Sequence, residues 1–234
     1  MSGFSCETVG AGSHYAGLLN LPTLLGLVSL SSRTQAVRFD ASTIAEYPGT
    51  FGCASSWSKL WGASRCGFFH PHQLDSDRFV WRRASDSIEI AAYAYDDGKR
   101  PYGPDDPNLL QPFGTHLAVG TTYTLGLDVA PSQTAYTIGD ANGTVLETRT
   151  VAHGHACANA ADGYKLGLYF GGSCAAPSPQ TVCYSPEVGW PQGLTVGIVL
   201  VALAACAACC VCAVRCCRRR KPAAAAGVRV EGRM

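Results

Sequence analysis

Between residues 36 and 184, apolar and polar positions alternate with the period of two expected of half-buried strands. In TTYTLGLDV, Thr121 to Val129, the side chains of Tyr123, Leu125, Leu127 and Val129 share one side, and Thr122, Thr124, Gly126 and Asp128 take the other. SIEIAAYAY, Ser87 to Tyr95, is rich in strand formers and stops at Asp96-Asp97-Gly98. That stop is a hairpin signal, because Asp-Gly tolerates the positive φ of a tight turn. TAYTI and TVLETRTV flank a second turn, Gly139 to Gly143. AVRFDASTIAEY reads as a first strand pair, and YKLGLYF and QTVCY as the last two strands. No segment of this body keeps a helical period, and WSKLW is read as one short turn. The pattern predicts an all-β body, an antiparallel β-sandwich, with Phe79 and Trp81 of RFVWRR on one face as core.

A different pattern closes the chain. Gly193 to Val214, GLTVGIVLVALAACAACCVCAV, carries no charge and has no polar face. At about 1.5 Å per residue a helix of this length spans the roughly 30 Å hydrocarbon layer of a bilayer. Each Leu, Ile and Val in it favours insertion by roughly 0.3–0.6 kcal/mol. One C-terminal transmembrane helix is therefore expected. Near the other end, Ala16 to Leu30 is apolar but too short to span; it matches the apolar part of a secretory signal, although no basic residue precedes it and Asn20 and Pro22 interrupt it.

Charge sets the expected orientation. Behind the span lie Arg215, Arg218, Arg219, Arg220, Lys221, Arg229 and Arg233 against Glu231 alone, so a near-neutral chain hides a mildly acidic body and a basic tail. Basic residues beside a span normally stay in the cytoplasm, which places the body on the other side. The rival topology is tail-anchored insertion with a cytosolic body. Because the arginines abut a span, the reading excludes nucleic acid as a partner. The division expected is an N-terminal, signal-like segment (1–35), a sandwich (36–184), a stalk (185–192) with Trp190 at the outer interface, the span (193–214) and a basic tail (215–234).

The cysteines divide the same way. Cys6, Cys53, Cys66, Cys157, Cys174 and Cys183 lie ahead of the span in loop-like sequence, which suits disulfides in an oxidising compartment. The first pairings to test are Cys53 with Cys66, and two of Cys157, Cys174 and Cys183. Signal cleavage would remove Cys6. Cys209, Cys210, Cys212, Cys216 and Cys217, beside the basic run, are candidates for S-acylation.

GYKLGLYFGGSCAAP, Gly163 to Pro177, resembles the closing strands of concanavalin A-like jelly rolls, where a strand ending in YFGG leads through an Ala-Pro turn to a final edge strand. WSKLWGASRCGFFHPHQLDSDRFVWRR and SIEIAAYAYDDGKR look like a small family of such sandwiches, with KL-G, RF-WR and AY-Y-G-R patterns. The resemblance covers roughly Val37 to Tyr184. Jelly rolls of this kind include glycoside hydrolases and polysaccharide lyases. The hydrolases it implies place E-x-D-x-x-E along one strand, since one carboxyl donates a proton while another attacks the sugar. Here Glu89 stands alone, and the Arg-Glu-Arg strand and Gln-Ile-His pair of alginate-lyase-like sandwiches are missing. The expectation is that the body is not an enzyme.

The candidate binding residues follow from polar clusters. His70-Pro71-His72 with Asp75 and Asp77 is the densest; in an extended segment both histidines would project to one side. Asp96, Asp97, Asp105, Asp106 and Asn108 lie in oxygen-rich turns of the kind that hold calcium, as the two histidines would hold a metal given a third ligand. Trp57, Trp61, Trp81, Tyr93, Tyr95 and Tyr102 offer rings for sugar stacking, set against plain core packing. Arg78, Arg82, Arg83 and Arg100 would supply hydrogen bonds. Asn142-Gly143-Thr144 is a glycosylation sequon on a hairpin tip. The expected protein is a single-pass membrane protein presenting a recognition module for glycans or a surface protein. The alternatives are a membrane-tethered glycan-processing enzyme, lyase or hydrolase, and a structural surface protein without a small ligand.

Overall fold

The computed structural model describes residues 3–16, 27–29, 31–45, 56–101, 107–172 and 174–185. The chain divides into two compact units, 1–190 and 191–234, and every described residue belongs to the first. Cys53, Tyr102, Asp105, Asp106, Trp190, the expected span 193–214, the basic tail and its five candidate acylation cysteines lie outside the described residues. Among the described residues no helix is long and apolar enough to cross a membrane.

The described strands are, in chain order, β1 (Ser5–Val9), β2 (Leu27–Ser29), β3 (Ser32–Phe39), β4 (Ser58–Ser64), β5 (Ser76–Ala84), β6 (Ser87–Tyr95), β7 (Leu110–Pro112), β8 (Leu117–Ala118), β9 (Thr122–Ala130), β10 (Gln133–Gly139), β11 (Val145–Ala152), β12 (Asp162–Leu166) and β13 (Gln180–Tyr184). They form two antiparallel sheets. The first runs β1-β13-β3-β9-β10-β11; the second runs β2-β12-β4-β5-β6-β7, with β8 also pairing β6. The alternation seen in sequence does the packing. Leu125, Leu127 and Val129 of β9 are buried, and Phe79 and Trp81 of β5 join Ile88, Ile90 and Ala92 of β6 in the core between the sheets. Asp97 and Gly98 take φ of 51° and 75° in a tight turn closed by the Asp96–Lys99 pair. Asp140 organises the β10–β11 turn by accepting from the backbone N–H groups of Asn142 and Thr144, both at 2.9 Å.

Several expectations are corrected. WSKLW is not a helical turn: it enters β4, where Lys59 opposes Val80 and Trp61 opposes Phe79, so Leu60 is an extra, bulged residue. The bulge turns both Leu60 and Trp61 inward and, with Trp57, gives apolar positions the i, i+3, i+4 spacing of a helix. The first strand pair in AVRFDASTIAEY is one strand, β3, followed by a short 3₁₀ turn, Ala41–Ile44, whose start is capped by Asp40 accepting from Ser42 N–H. The sandwich also begins before residue 36, since β1 pairs with β13 and β3 starts at Ser32.

The cysteine pairing differs as well. Cys66 bonds Cys157, not Cys53, and Cys183 bonds Cys6, which sits directly opposite it in the β1–β13 ladder. No bond therefore joins two of Cys157, Cys174 and Cys183; Cys174 is disulfide-bonded too. Strand order brings Cys6 and Cys183 together across 177 residues of sequence, so nearness along the chain is no guide to the partner.

Candidate functional site

The outer face of the second sheet carries the alternate residues of its strands. Lys59 of β4, Arg78 and Val80 of β5, and Ala91, Tyr93 and Tyr95 of β6 all point away from the inter-sheet core. Trp57, Val80, Ala91 and Tyr93 pack there as a second apolar cluster. Above this floor lies a cleft of about 290 Å³ lined by Tyr15, Lys59, His72, Gln73, Arg78, Tyr95, Leu166, Gly167 and Tyr169.

Lys59 and Tyr169 exchange both backbone hydrogen bonds, at 2.7 and 3.0 Å, so their side chains leave the same face side by side. The Lys59 Nζ lies 5.2 Å from the Tyr169 ring centroid and 5.6 Å from that of Tyr93. Burial, and then the Arg78 charge, bring the Lys59 pKa down to about 8. Burial moves the Tyr169 phenol the other way, above its usual value, and its hydroxyl donates to the Gly172 carbonyl at 3.2 Å. Tyr15 meets Tyr169 edge-on at 5.0 Å. Arg78 is 8 % exposed, donates from Nη2 to the Gly167 carbonyl at 2.6 Å, and is lowered by burial to about 10. His72 enters from the loop between β4 and β5. Its Nδ1 is 2.8 Å from the Tyr164 hydroxyl, and burial with the nearby Arg78 charge lowers its pKa to about 4.

A second polar cluster is buried at one end of the core. Arg65, 1 % exposed, reaches Asp75 at 3.3 Å and Asp96 at 3.1 Å through Nη2. Its Nε is 3.2 Å from Asp77 without hydrogen-bond alignment. Asp77 accepts from Thr134 and Tyr136 at 2.9 and 2.8 Å, and His153 Nε2 is 3.3 Å away. Burial opposes ionisation of Asp77, but His153, Arg65 and Tyr136 outweigh it and hold the carboxyl below its usual range.

The sequence candidates scatter over these places. His72, Arg78 and Tyr95 line the cleft. His70 does not join His72: the segment turns, with His70 N–H bonded to Gly67 O and Leu74 N–H to Pro71 O, so His70 Nε2 meets Asp75 at 2.8 Å while His72 faces Tyr164. The expectation of two histidines on one side needed an extended chain. Trp61 is in the core, and Trp57 is buried beneath Arg82, whose guanidinium carbon lies 4.4 Å from its ring, so neither presents a free stacking face. Arg100 and Asn142 are exposed.

The oxygens of Asp96 accept from Arg65 and from the Gly154 and His155 N–H groups, donors that a calcium shell would have to displace. Asp97 and Asn108 are exposed. Cys66, His70 and Asp75 bring donor atoms within 4.8 Å of one another, yet the Cys66 sulfur is spent in its disulfide. Sequence reasoning missed Lys59, Tyr169, Tyr15 and Gln73. The one signal for Lys59 was a lone cation set between Trp57 and the apolar pair Leu60-Trp61.

No family model and no curated protein matches the chain. Among solved structures, the alginate lyase Aly36B is similar at 15 % identity over 79 % of both chains, with a TM-score of 0.49. An alginate lyase from Klebsiella pneumoniae is 11 % identical over 69 % of this chain and 60 % of its own, TM-score 0.42. An endo-β-1,4-glucuronan lyase from Trichoderma reesei is 8 % identical over 80 % and 74 %, TM-score 0.39. Against the expectation that the body is not an enzyme, lyases stand among the solved structures similar to the chain. That expectation rested on a missing carboxylate pair and missing motifs, and an elimination requires neither.

Proposed function

We propose that the cleft is the active site of a polysaccharide lyase that cleaves uronic-acid chains by β-elimination. The reaction needs a cation to hold the uronate carboxylate, a base to take the proton next to it, and an acid for the departing oxygen. Arg78 is the buried cation. Lys59, with its pKa at about 8, has an appreciable neutral fraction at neutral pH and takes the C5 proton. The C5–H electrons form the C4–C5 double bond, the C4–O bond breaks, and Tyr169, kept protonated by burial, passes its proton to the leaving oxygen. The observation that carries this reading is the Lys59–Tyr169 backbone pair, which sets base and acid beside Arg78. Joined to the C-terminal span expected from the sequence, the reading describes a lyase tethered at a membrane.

The test is incubation of full-length protein in detergent with alginate, glucuronan and a neutral glucan, following the ultraviolet absorbance of the unsaturated product. Absorbance should rise with a polyuronate and not with the glucan, and should be lost in Lys59→Ala. Polyuronate binding without unsaturated product would overturn the lyase reading in favour of a recognition module.

A further inference from the structure

One phenol holds His72 at two points. The His72 backbone N–H donates to the Tyr164 hydroxyl oxygen at 3.1 Å, and the ring Nδ1 lies 2.8 Å from that same oxygen. A phenol brings one proton of its own. The Tyr164 hydroxyl meets no other acceptor among the described residues, so its proton is directed at Nδ1. Nδ1 is then the bare nitrogen, and the proton of the neutral ring sits on Nε2. The two rings meet edge-on, their centroids 6.0 Å apart. Tyr164 itself comes from β12, where its backbone N–H is anchored on the Ser64 hydroxyl at 2.8 Å. The clamp therefore ties the loop bearing His72 to a strand of the second sheet.

We infer that Tyr164 is a positioning residue that locks His72 as the Nε2–H tautomer, giving the cleft an uncharged N–H donor in the neighbourhood of the Arg78 cation. The ligand feature suited to one cation and one neutral donor is a carboxylate with an adjacent hydroxyl, as on a uronate ring. A protonated His72 would instead set a half-buried charge near Arg78, and both its partial burial and that charge oppose it. The ligand class rests on the lyase reading above; the tautomer does not.

The experiment uses full-length protein with ¹⁵N-labelled histidine, whose multiple-bond proton–nitrogen correlations distinguish the two ring nitrogens. At neutral pH His72 should show a protonated Nε2 and a bare Nδ1, and Tyr164→Phe should populate both tautomers. With an alginate oligosaccharide, Tyr164→Phe should raise KM about tenfold, the worth of one hydrogen bond to a charged group, with a smaller change in kcat. His72→Gln, which restores an N–H near the Nε2 position, should stay nearer wild type than His72→Leu. A protonated Nδ1 in the wild-type protein overturns the inference whether or not the variants fold. So does a tautomer unchanged in a folded Tyr164→Phe. If no polyuronate is turned over, the lyase reading falls while the nitrogen spectrum still decides this one.

Discussion

Gly62 lies opposite Arg78 in the β4–β5 ladder, and a Cβ on it would come within 2.6 Å of the Arg78 Cα and 2.9 Å of its Cγ. Those contacts are with backbone and the root of a side chain, which cannot swing clear. Gly62→Ala should therefore push β5 away just where the cleft cation is rooted. The expected cost is about 1–3 kcal/mol in a urea melt, as for other overpacked sites, together with weaker binding of carboxylated oligosaccharides. Gly10→Ala, which meets nothing within 4 Å, should leave both measurements unchanged.

Replacing the proposed base or acid should separate activity from folding. Lys59→Met keeps the apolar stem, and Tyr169→Phe keeps the ring over which the lysine sits. Each should lower kcat on a polyuronate by about 10²–10⁴-fold, the usual worth of a positioned acid or base. Lys59→Met should not lower the melting temperature, because it removes a half-buried ammonium whose charged form burial disfavours. Rates and thermal melts on the same samples check both points.

The pH dependence has a definite sign. Lys59 acts unprotonated, so kcat/KM should rise with pH through about 8, and Lys59→Met should abolish that limb. Stability should rise in the same direction. A lysine lowered from 10.5 to about 8 on folding binds more protons in the unfolded chain between those values, so unfolding becomes harder as pH climbs through that window. His72, lowered from 6.5 to about 4, acts likewise from pH 4 to 6.5, and its contribution is lost as pH falls. Asp77, held below 3.8, adds stability above that pH that disappears in acid. Melting temperatures across the pH range, in wild type and His72→Gln, test the middle window.

Asp77→Ala should be among the most damaging changes. It takes away one of the three carboxylates around Arg65, which is 1 % exposed, and the carboxylate acceptor of the buried Thr134 and Tyr136 hydroxyls. Depriving a buried hydroxyl of its acceptor costs about 1–3 kcal/mol, and equilibrium denaturation measures the sum.

Much of the fold was legible because side-chain alternation is a local property. Tyr123, Leu125, Leu127 and Val129 reveal their strand without reference to any partner, and Asp97-Gly98 announces its turn through backbone sterics alone. Local pattern misled at WSKLW, where a bulge imitates helical spacing. It also misled at His70 and His72, where a turn sends two nearby histidines to different partners.

The sequence by itself determined a β-rich body, a charge-free apolar run with arginines behind it, and the turns that carry Asp97-Gly98 and Asn142. Only the tertiary structure decided that Lys59 stands beside Tyr169, that Cys6 meets Cys183, and that Arg65 gathers Asp75, Asp77 and Asp96. The reason is that strand order joins residues remote along the chain, whereas the period-two pattern records which face a residue takes and nothing about what lies opposite.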